Sequence, residues 1–375
     1  MQVRVLHFVG NLSLRNGIAS VVMNYYRQID RTKIQFDFMI YDNIENSYSD
    51  EVTGMGGNIY LIPKLGIGSF LNVYKHLKKF FIENAHKYSI IHLHVLQYGF
   101  IFLPIAKRYG IKNRIIHAHS TKYSVSFFKS IRNWLMCLTL VKNANYYFAC
   151  SKAAGKFLFG DIICKSDKFY LMKNAIDFDK FRYNQQIREK TREKLRIENK
   201  LVIGHVGRFS NEKNHTFLID VFKELHSKYT NSVLLLVGDG ILRVEIEKKV
   251  NKLGLSNSVV FTGTRNDVSD LLQAMDIFVF PSKFEGLGIV AVEAQASGLK
   301  TIVSDKVPEE VGFTNLFFSI ELKKSAVEWA NEIYKLKEYY RHDITKELEK
   351  SDYMINLAAL SLTNRYFSMI LETTL

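Results

Sequence analysis

Residues 276–298 read DIFVFPSKFEGLGIVAVEAQASG, and this stretch decides the fold. Four consecutive apolar residues precede Pro281, a pattern typical of a strand buried on both faces of a parallel sheet. Gly286 and Gly288 then predict the start of a helix, where free backbone N–H groups attract phosphate. Because open α/β sheets bind ligands at the carboxyl ends of their strands, this turn is a predicted binding site.

Two carboxylates lie eight residues apart in the same stretch. Glu285 stands at the carboxyl end of the predicted strand, and Glu293 lies about one turn inside the predicted helix. Carboxylate oxygens accept hydrogen bonds from sugar hydroxyls, so the pair suits a nucleotide-sugar site. The alternative is that Glu293 only caps or pairs on a solvated helix face.

The rest of the chain alternates short apolar strands with helical patterns, which predicts parallel sheets with helices on both faces. A length of 375 residues exceeds what one core usually supports and indicates two domains. We predict ten strands: Val3–Val9, Phe36–Ile40, Ile90–Leu93, Arg114–Ala118, Tyr146–Ala149, Leu201–Val206, Val233–Val237, Val259–Phe261, Ile277–Phe280 and Thr301–Val303.

Composition favours a soluble globular protein, since 47% of the residues are hydrophobic and 23% are charged. No apolar stretch reaches the roughly 18 residues that a membrane span needs, and the N-terminal sequence predicts no signal peptide. The three cysteines, Cys137, Cys150 and Cys164, are odd in number and set in apolar surroundings. We therefore expect them to pack in cores without disulfides, in a reducing cytoplasm.

The net charge of +14 lies entirely in the first half of the chain. Residues 1–184 contain 25 Lys and Arg against 11 Asp and Glu, whereas residues 185–375 contain 26 of each class. Such asymmetry predicts an anionic partner, either phospholipid head groups or nucleic acid. Two basic strips with aromatic residues, 75–82 and 127–134, fit helices lying in a membrane interface. The alternative for each strip is an ordinary surface helix with snorkelling lysines.

The stretch from Glu285 to Glu293, with Gly298 and the strand after it, resembles the E-x7-E signature of retaining GT-B glycosyltransferases, and is most similar to glycosyltransferase family 4. Residues 304–311 look like enzymes of bacterial capsule and exopolysaccharide assembly. Four further segments occur in the order typical of that family: Asn174–Asp177, Gly204–Lys213, Leu234–Gly240 and Val260–Arg265.

The resemblance implies two Rossmann-like, doubly wound domains facing a cleft. We expect an acceptor-binding domain over residues 1–180, a nucleotide-sugar-binding domain over 181–356, and a last helix, 357–375, that packs back on the first domain. The implied activity is retaining transfer of a hexose or N-acetylhexosamine from a nucleotide sugar, expected to be UDP-linked. The acceptor would be polyprenyl-linked or a saccharide. The enzyme would work at the cytoplasmic membrane surface as a peripheral protein in capsule or exopolysaccharide assembly.

Arg208 and Lys213 lie five residues apart between a strand end and a helix, which places two cations beside a phosphate-sized gap. In the family, the matching pair holds the donor diphosphate in place of a metal ion, so no metal cofactor is expected. Preorganised cations there stabilise the charge that develops on the departing oxygens. The alternative is a solvated basic loop.

The resemblance also assigns the remaining donor-binding residues. Glu285 would orient the hexose hydroxyls as a catalytic residue, and Glu293 would hold the ribose. The other donor-binding candidates are Gly17, Arg265, Gly286, Leu287 and Gly288. The family usually has Gly-Gly where this chain has Asn16-Gly17. Asn16 therefore departs from the family pattern, although Asn tolerates left-handed conformations.

A histidine of the first domain is expected to face the reacting sugar. His119, just past a buried strand, aligns best with the family's histidine and is the second catalytic candidate. His117, one pleat away, and His94, at the end of the preceding strand, are alternatives. The competing interpretation for each is a packed, hydrogen-bonded side chain.

Four other classes of function are less consistent with the sequence. Asp177-Phe-Asp179 resembles a metal-binding motif of other transferases, but it lies in the interdomain segment, and no cluster has convincing metal-ligand spacing along the chain. A sugar-nucleotide epimerase or hydrolase of the same fold would not need the basic first half, and a non-catalytic partner would not need the intact charged residues. A nucleic-acid binder would need a recognition motif, and the sequence contains none.

Overall fold

The computed structural model describes residues 2–14, 16–66, 68–123 and 127–374. The chain divides into two compact units. Unit 1 comprises Met1–Ala175 and Ile355–Leu375, and unit 2 comprises Ile176–Met354. The chain leaves unit 1 five residues before the expected boundary at 180/181 and returns to it two residues before the expected 356/357.

Unit 1 contains a parallel sheet of seven strands in the order β3-β2-β1-β4-β5-β6-β7. Its strands are β1 Val3–Phe8, β2 Ile34–Ile40, β3 Ile59–Leu61, β4 Ile90–Leu93, β5 Asn113–Ala118, β6 Tyr146–Ala149 and β7 Phe169–Leu171. Its helices are α1 Gly17–Gln28, α2 Ser49–Gly54, α3 Phe70–Asn84, α4 Gly99–Arg108, α5 Phe127–Cys137, α6 Leu140–Asn143, α7 Lys152–Cys164 and, from the end of the chain, α16 Ile355–Thr374.

Unit 2 contains a parallel sheet of six strands in the order β10-β9-β8-β11-β12-β13. Its strands are β8 Leu201–Val206, β9 Ser232–Val237, β10 Val259–Gly263, β11 Ile277–Phe280, β12 Lys300–Ser304 and β13 Phe317–Ile320. Its helices are α8 Phe178–Phe181, α9 Gln185–Leu195, α10 His215–Lys228, α11 Arg243–Lys252, α12 Val268–Ala274, α13 Ile289–Ala296, α14 Ala326–Lys335 and α15 Thr345–Leu348.

The strand predicted before Pro281 is β11, and all four of its residues are buried. It pairs with β8 on one side and β12 on the other, so it lies inside the sheet as predicted. All ten predicted strands are present, together with three that the apolar pattern missed. The missed strands, β3, β7 and β13, are short sheet edges with partly exposed residues, so they lack a continuous apolar run.

The last helix, α16, packs against α1 and β5 within unit 1. Its Tyr366 is fully buried, and near its end Glu372 accepts a hydrogen bond from Tyr146 at 2.8 Å and pairs with Lys168 at 2.5 Å. These contacts fasten the helix to the sheet at both its middle and its end.

The cysteines are free thiols as expected; Cys137 and Cys150 are buried, and Cys164 is partly exposed. Within the described residues, every helix is too short or too polar to span a bilayer.

Candidate functional site

An ion pair forms in unit 2 where the sequence predicts the donor site. Lys213 Nζ lies 2.7 Å from Glu285 Oε1, and the two side chains are only 18% and 11% exposed. The ammonium group also lies 4.5 Å from the centroid of the Phe280 ring, at the end of β11. The residue predicted to hold the phosphate and the residue predicted to orient the sugar therefore contact each other.

The backbone at Gly288 fixes the start of α13. This residue has φ of 87°, in the left-handed region that favours glycine, and a side chain there would approach the Phe280 ring to 3.1 Å. Leu287 is buried beside it, and Gly286 is partly exposed. The turn thus presents backbone N–H groups at a helix start, next to the Lys213–Glu285 pair in sequence and at the carboxyl end of β11.

Arg208 lies on a loop whose neighbours hold it firmly. Phe209 is fully buried, and its backbone bonds to Asp239 and Leu242 at 3.0 and 3.1 Å. Gly238 permits the close approach of the two loops, because a Cβ at this position would lie 2.1 Å from the Gly207 carbonyl oxygen. Arg208 itself is exposed, so a rigid loop presents its guanidinium to solvent.

Glu293 lies on α13 and is partly accessible to solvent. Burial nevertheless raises the pKa of its carboxyl to about 7, against a smaller lowering by the positive charge of Lys180 on α8. Desolvation as the main cause favours a partly enclosed Glu293 over a group on a fully solvated helix face.

Arg265 is exposed but not available as a free cation. Its guanidinium pairs with Asp267 through Nε to Oδ1 at 2.8 Å and Nη2 to Oδ2 at 2.6 Å, and this pairing raises the pKa of the arginine. To contact a donor directly through its side chain, Arg265 would have to leave Asp267.

Two buried histidines near Lys213 were not predicted. His205 on β8 bonds to the Val279 carbonyl at 2.8 Å, and His215 opens α10. Burial lowers the pKa of His205 to about 4 and that of His215 to about 2, so both are neutral. The sequence signal that could have identified them is their position: His205 lies two residues before Gly207, and His215 lies two residues after Lys213.

Unit 1 brings five histidines together near the carboxyl ends of β1, β4 and β5. Two of them, His7 and His92, are register partners on neighbouring strands and were not predicted. The ring nitrogens form two hydrogen-bonded lines, His7–His94–His119 and Tyr366–His92–His117, with nitrogen–nitrogen distances of 2.8–3.1 Å and 2.8 Å from the Tyr366 hydroxyl to His92. The alternating pairs His-Leu-His and His-Ala-His were the sequence signal, since period two places both members on one face.

Burial is the main cause that lowers the pKa of all five imidazoles, to about 3 for His7 and His119 and well below the usual value for the others. The cluster is therefore uncharged at neutral pH. Of the three predicted candidates, His94 and His117 are buried and His119 is partly exposed. Of these three candidates, His119 is therefore the one accessible to solvent.

Gly17 is the exposed first residue of α1, with nothing within 4 Å of where its Cβ would lie. Asn16 has φ of −89° and caps the helix by accepting from the Ile18 N–H, so it does not use the left-handed conformation. The fold therefore does not require glycine at position 17.

Asp177 and Asp179 lie at the start of α8 in unit 2, and Asp179 is 88% exposed and 3.6 Å from Arg182. The two carboxylates show no sign of converging on a shared ligand.

Comparison with known proteins agrees with this architecture. The profile of the glycosyl transferases group 1 matches residues 187–349. A Bacillus subtilis protein named as a glycosyltransferase, EpsF, is 35% identical over 337 residues, covering 88% of this chain and 87% of its own. An Escherichia coli relative, 27% identical over 66% of this chain and 64% of its own, is named UDP-Gal:alpha-D-GlcNAc-diphosphoundecaprenol alpha-1,3-galactosyltransferase.

The solved structure of HepE from Anabaena, in complex with UDP and glucose, superposes with a TM-score of 0.76 at 19% identity and covers 99% of this chain and 100% of its own. Two doubly wound parallel sheets with this likeness define the GT-B fold. The chain belongs to the group 1 glycosyl transferases and is a hexosyltransferase related to enzymes of capsule and exopolysaccharide synthesis.

Proposed function

We propose that this protein transfers a hexose or N-acetylhexosamine from a UDP-linked donor to a polyprenyl-linked or saccharide acceptor, with retention at the anomeric carbon. The observation that carries the proposal is the buried Lys213–Glu285 pair beside the helix start at Gly288. Support for the donor comes from HepE, whose structure holds UDP and glucose. Support for the acceptor comes from the E. coli relative, whose name includes a diphosphoundecaprenol.

In the proposed reaction the bond between the anomeric carbon and the diphosphate oxygen breaks, and the acceptor oxygen bonds to the same face of that carbon. The acceptor proton passes to the departing diphosphate oxygen, without a covalent intermediate on the enzyme. Arg208 and Lys213 stabilise the negative charge that develops on the diphosphate, so this step needs no metal ion. Glu285 orients the hexose hydroxyls, and Glu293 accepts from the ribose.

Donor binding must rearrange the Lys213–Glu285 pair. Each charge has the other as a partner at 2.7 Å, in a site where both side chains are largely buried. A diphosphate that attracts Lys213 would leave Glu285 to the hexose hydroxyls. The ion pair would therefore hold both side chains in the site before the donor binds. Each charge would partly offset the desolvation cost of burying the other.

The donor site is tested by thermal unfolding against UDP, GDP, ADP and their common sugar conjugates. A ligand at about a hundred times its Kd stabilises the native state by about 2.7 kcal/mol. We expect a shift from uridine compounds alone, lost in Arg208→Ala and Glu293→Ala and kept in Lys248→Ala, an exposed lysine on α11. No shift from any nucleotide would overturn the proposal and favour the non-catalytic partner.

A membrane surface on unit 1 is the proposed route to a lipid-linked acceptor. Helix α5 exposes several large apolar side chains, including Phe128, Trp134 and Leu135, which are 82%, 47% and 54% exposed. The chain has no Asp or Glu between Glu83 and Asp161, a stretch that includes α4 and α5. Apolar side chains beside unopposed basic charge suit an anionic bilayer.

The first basic strip, residues 75–82 on α3, exposes different side chains from those the membrane interpretation needs. Its aromatic residues, Phe80 and Phe81 on α3, are buried in the core, while Lys75, Lys78 and Lys79 are exposed. The expectation that these aromatics insert into a membrane is wrong for α3, because they face the sheet. This strip supplies charge and the exposed Ile82, and α5 supplies exposed aromatic side chains.

A further inference from the structure

The histidine cluster of unit 1 is larger than the proposed reaction requires. The sequence predicts one histidine at the reacting sugar, yet five imidazoles from β1, β4, β5 and the residues just after them lie in contact. The rings of His117 and His119 have centroids 3.9 Å apart, and those of His94 and His119 are 5.1 Å apart. Such a concentration of imidazoles needs its own physical explanation.

Three ring nitrogens lie close enough together to share one ion. They belong to His94, His117 and His119, called here the outer triad. Ligand nitrogens of His94, His117 and His119 all lie within 4.8 Å of one another, and His94 Nδ1 is 2.8 Å from His119 Nε2. His117 Nε2 is fully buried and has no hydrogen-bond partner. A buried polar atom without a partner costs stability, which a bound cation would recover.

We propose that His94, His117 and His119 together bind one divalent transition-metal ion with a preference for imidazole, with Zn²⁺ as the reference ion. Neutral imidazole nitrogens are ligands for zinc, copper, iron and nickel, whereas Mg²⁺ and Ca²⁺ require oxygen ligands. The chain from Glu83 to Asp161, which carries all three residues, has no carboxylate between these two. The donor set therefore selects against the hard cations.

Metal binding requires an adjustment of the three side chains. In a tetrahedral site with Zn–N bonds of about 2.0–2.1 Å, neighbouring ligand nitrogens lie ~3.3 Å apart. The nitrogens of His94 and His119 must therefore separate by about half an ångström, and any pair near the 4.8 Å limit must approach by about 1.5 Å. Three histidines leave a fourth position, and the partly exposed His119 gives it access to water.

The contacts around the triad allow the polarity that a metal site needs. A histidine ligand donates its other ring N–H to a neighbour, which fixes the tautomer. His117 Nδ1 faces His92 Nε2 at 3.1 Å, and His92 Nδ1 faces the Tyr366 hydroxyl at 2.8 Å. Likewise His94 Nε2 faces His7 Nδ1 at 3.0 Å. The ion requires lone pairs on both His94 Nδ1 and His119 Nε2, so metal binding replaces the hydrogen bond between these two nitrogens.

A second triad, His7, His92 and His94, is also compact, but all three of its members are buried. In the outer triad, His119 alone provides solvent access for an incoming hydrated ion. The inner histidines therefore act as positioning residues, which hold His94 and His117 in the orientation that binds the metal.

The test uses untagged, full-length protein, stripped with a chelator and titrated with Zn²⁺ or Mg²⁺ in a calorimeter. We expect one Zn²⁺ per chain and no response to Mg²⁺. Bound Co²⁺ should show the intense visible bands of four-coordinate cobalt, a readout that a purely structural histidine cluster would not produce. Because no nucleotide or acceptor is present, the result is independent of the proposed glycosyl transfer.

Three variants make the result specific. His119→Gln, at the accessible edge, should weaken Zn²⁺ binding at least about tenfold and abolish the cobalt bands, and Tyr366→Phe should weaken binding about tenfold. His76→Gln, which removes an exposed histidine of α3, and Arg208→Ala, in unit 2, should bind as wild type. Absence of stoichiometric Zn²⁺ binding, equal affinity in His119→Gln, or bands typical of six-coordinate cobalt would each overturn the proposal.

Discussion

Glu293 shows how burial changes the chemistry of a single carboxyl group. Its pKa is raised to about 7 by desolvation, well above that of an exposed glutamate. A raised pKa means that the folded state holds the proton more tightly than the unfolded state. The corresponding stabilisation is complete below the unfolded pKa of about 4.3 and is lost as the pH rises through about 7.

We therefore expect Glu293→Gln to become more stable relative to wild type as the pH rises. The gain between about pH 5 and about pH 8 should be ~2 kcal/mol, because the neutral amide avoids the desolvated charge. Urea denaturation of both proteins across this range measures it. Glu245→Gln, at an exposed position on α11, should show no such pH dependence. A constant difference between Glu293→Gln and wild type would contradict the raised pKa.

Glu285 gives the second prediction at this scale. Replacing it by Gln removes the partner of Lys213, so the lysine becomes fully available to a diphosphate. We expect UDP affinity to be unchanged or higher, while kcat falls at least about a hundredfold because the hexose is no longer oriented. Calorimetry with UDP and steady-state kinetics separate the two effects. Undiminished turnover would remove Glu285 from the catalytic residues.

The sequence identified the charged residues of this site but not their partners. Lys213 and Glu285 were each placed near a donor, yet their ion pair joins positions 72 residues apart. The resemblance predicted Arg265 as a donor-binding residue, but its pairing with Asp267 depends on loop conformation and is not visible in the sequence. Three of the five clustered histidines were predicted as candidates, but not their mutual contact, because the members come from three strands that are distant along the chain.

At the scale of elements, the alternation of strands and helices was enough to predict two parallel sheets. Helix α9 was less predictable. The segment 189–200 is charged and has few apolar residues, which predicts a surface position. Arg192 is nevertheless only 6% exposed and donates to the Ala274 carbonyl at 3.0 Å and to Asp276 at 3.2 Å. A charged residue becomes buried when a specific partner compensates it, and such a partner is visible only in three dimensions.

The C-terminal helix provides a prediction about stability. Leu362 on α16 is fully buried, and Leu360 on the same helix is 58% exposed. We expect Leu362→Ala to lower the free energy of unfolding by about 2–5 kcal/mol, because it leaves a cavity in the core of unit 1. Leu360→Ala should change it by less than about 0.5 kcal/mol. Denaturation with urea compares them, and equal effects would show that α16 does not hold unit 1 together.

At the scale of the whole molecule, the two halves of the chain differ most in charge. Residues 1–184 carry the entire excess of +14, and unit 1 also presents the exposed apolar residues of α5. In unit 2 the numbers of basic and acidic residues are nearly equal. Composition could predict this asymmetry, but only the structure separates the buried aromatics of α3 from the exposed ones of α5.

This asymmetry predicts binding to anionic vesicles through unit 1. Each basic residue near an anionic surface contributes about 1 kcal/mol, and this contribution falls as salt screens the charges. We expect sedimentation with phosphatidylglycerol vesicles at low salt, release at high salt, and no binding to phosphatidylcholine alone. The double substitution Trp134→Ala and Leu135→Ala should weaken binding about tenfold or more, since it removes apolar area from the interface. Ile241→Ala, which removes a 91% exposed apolar residue of unit 2, should bind as wild type. If both variants bind equally, α5 does not insert and the attraction is electrostatic alone.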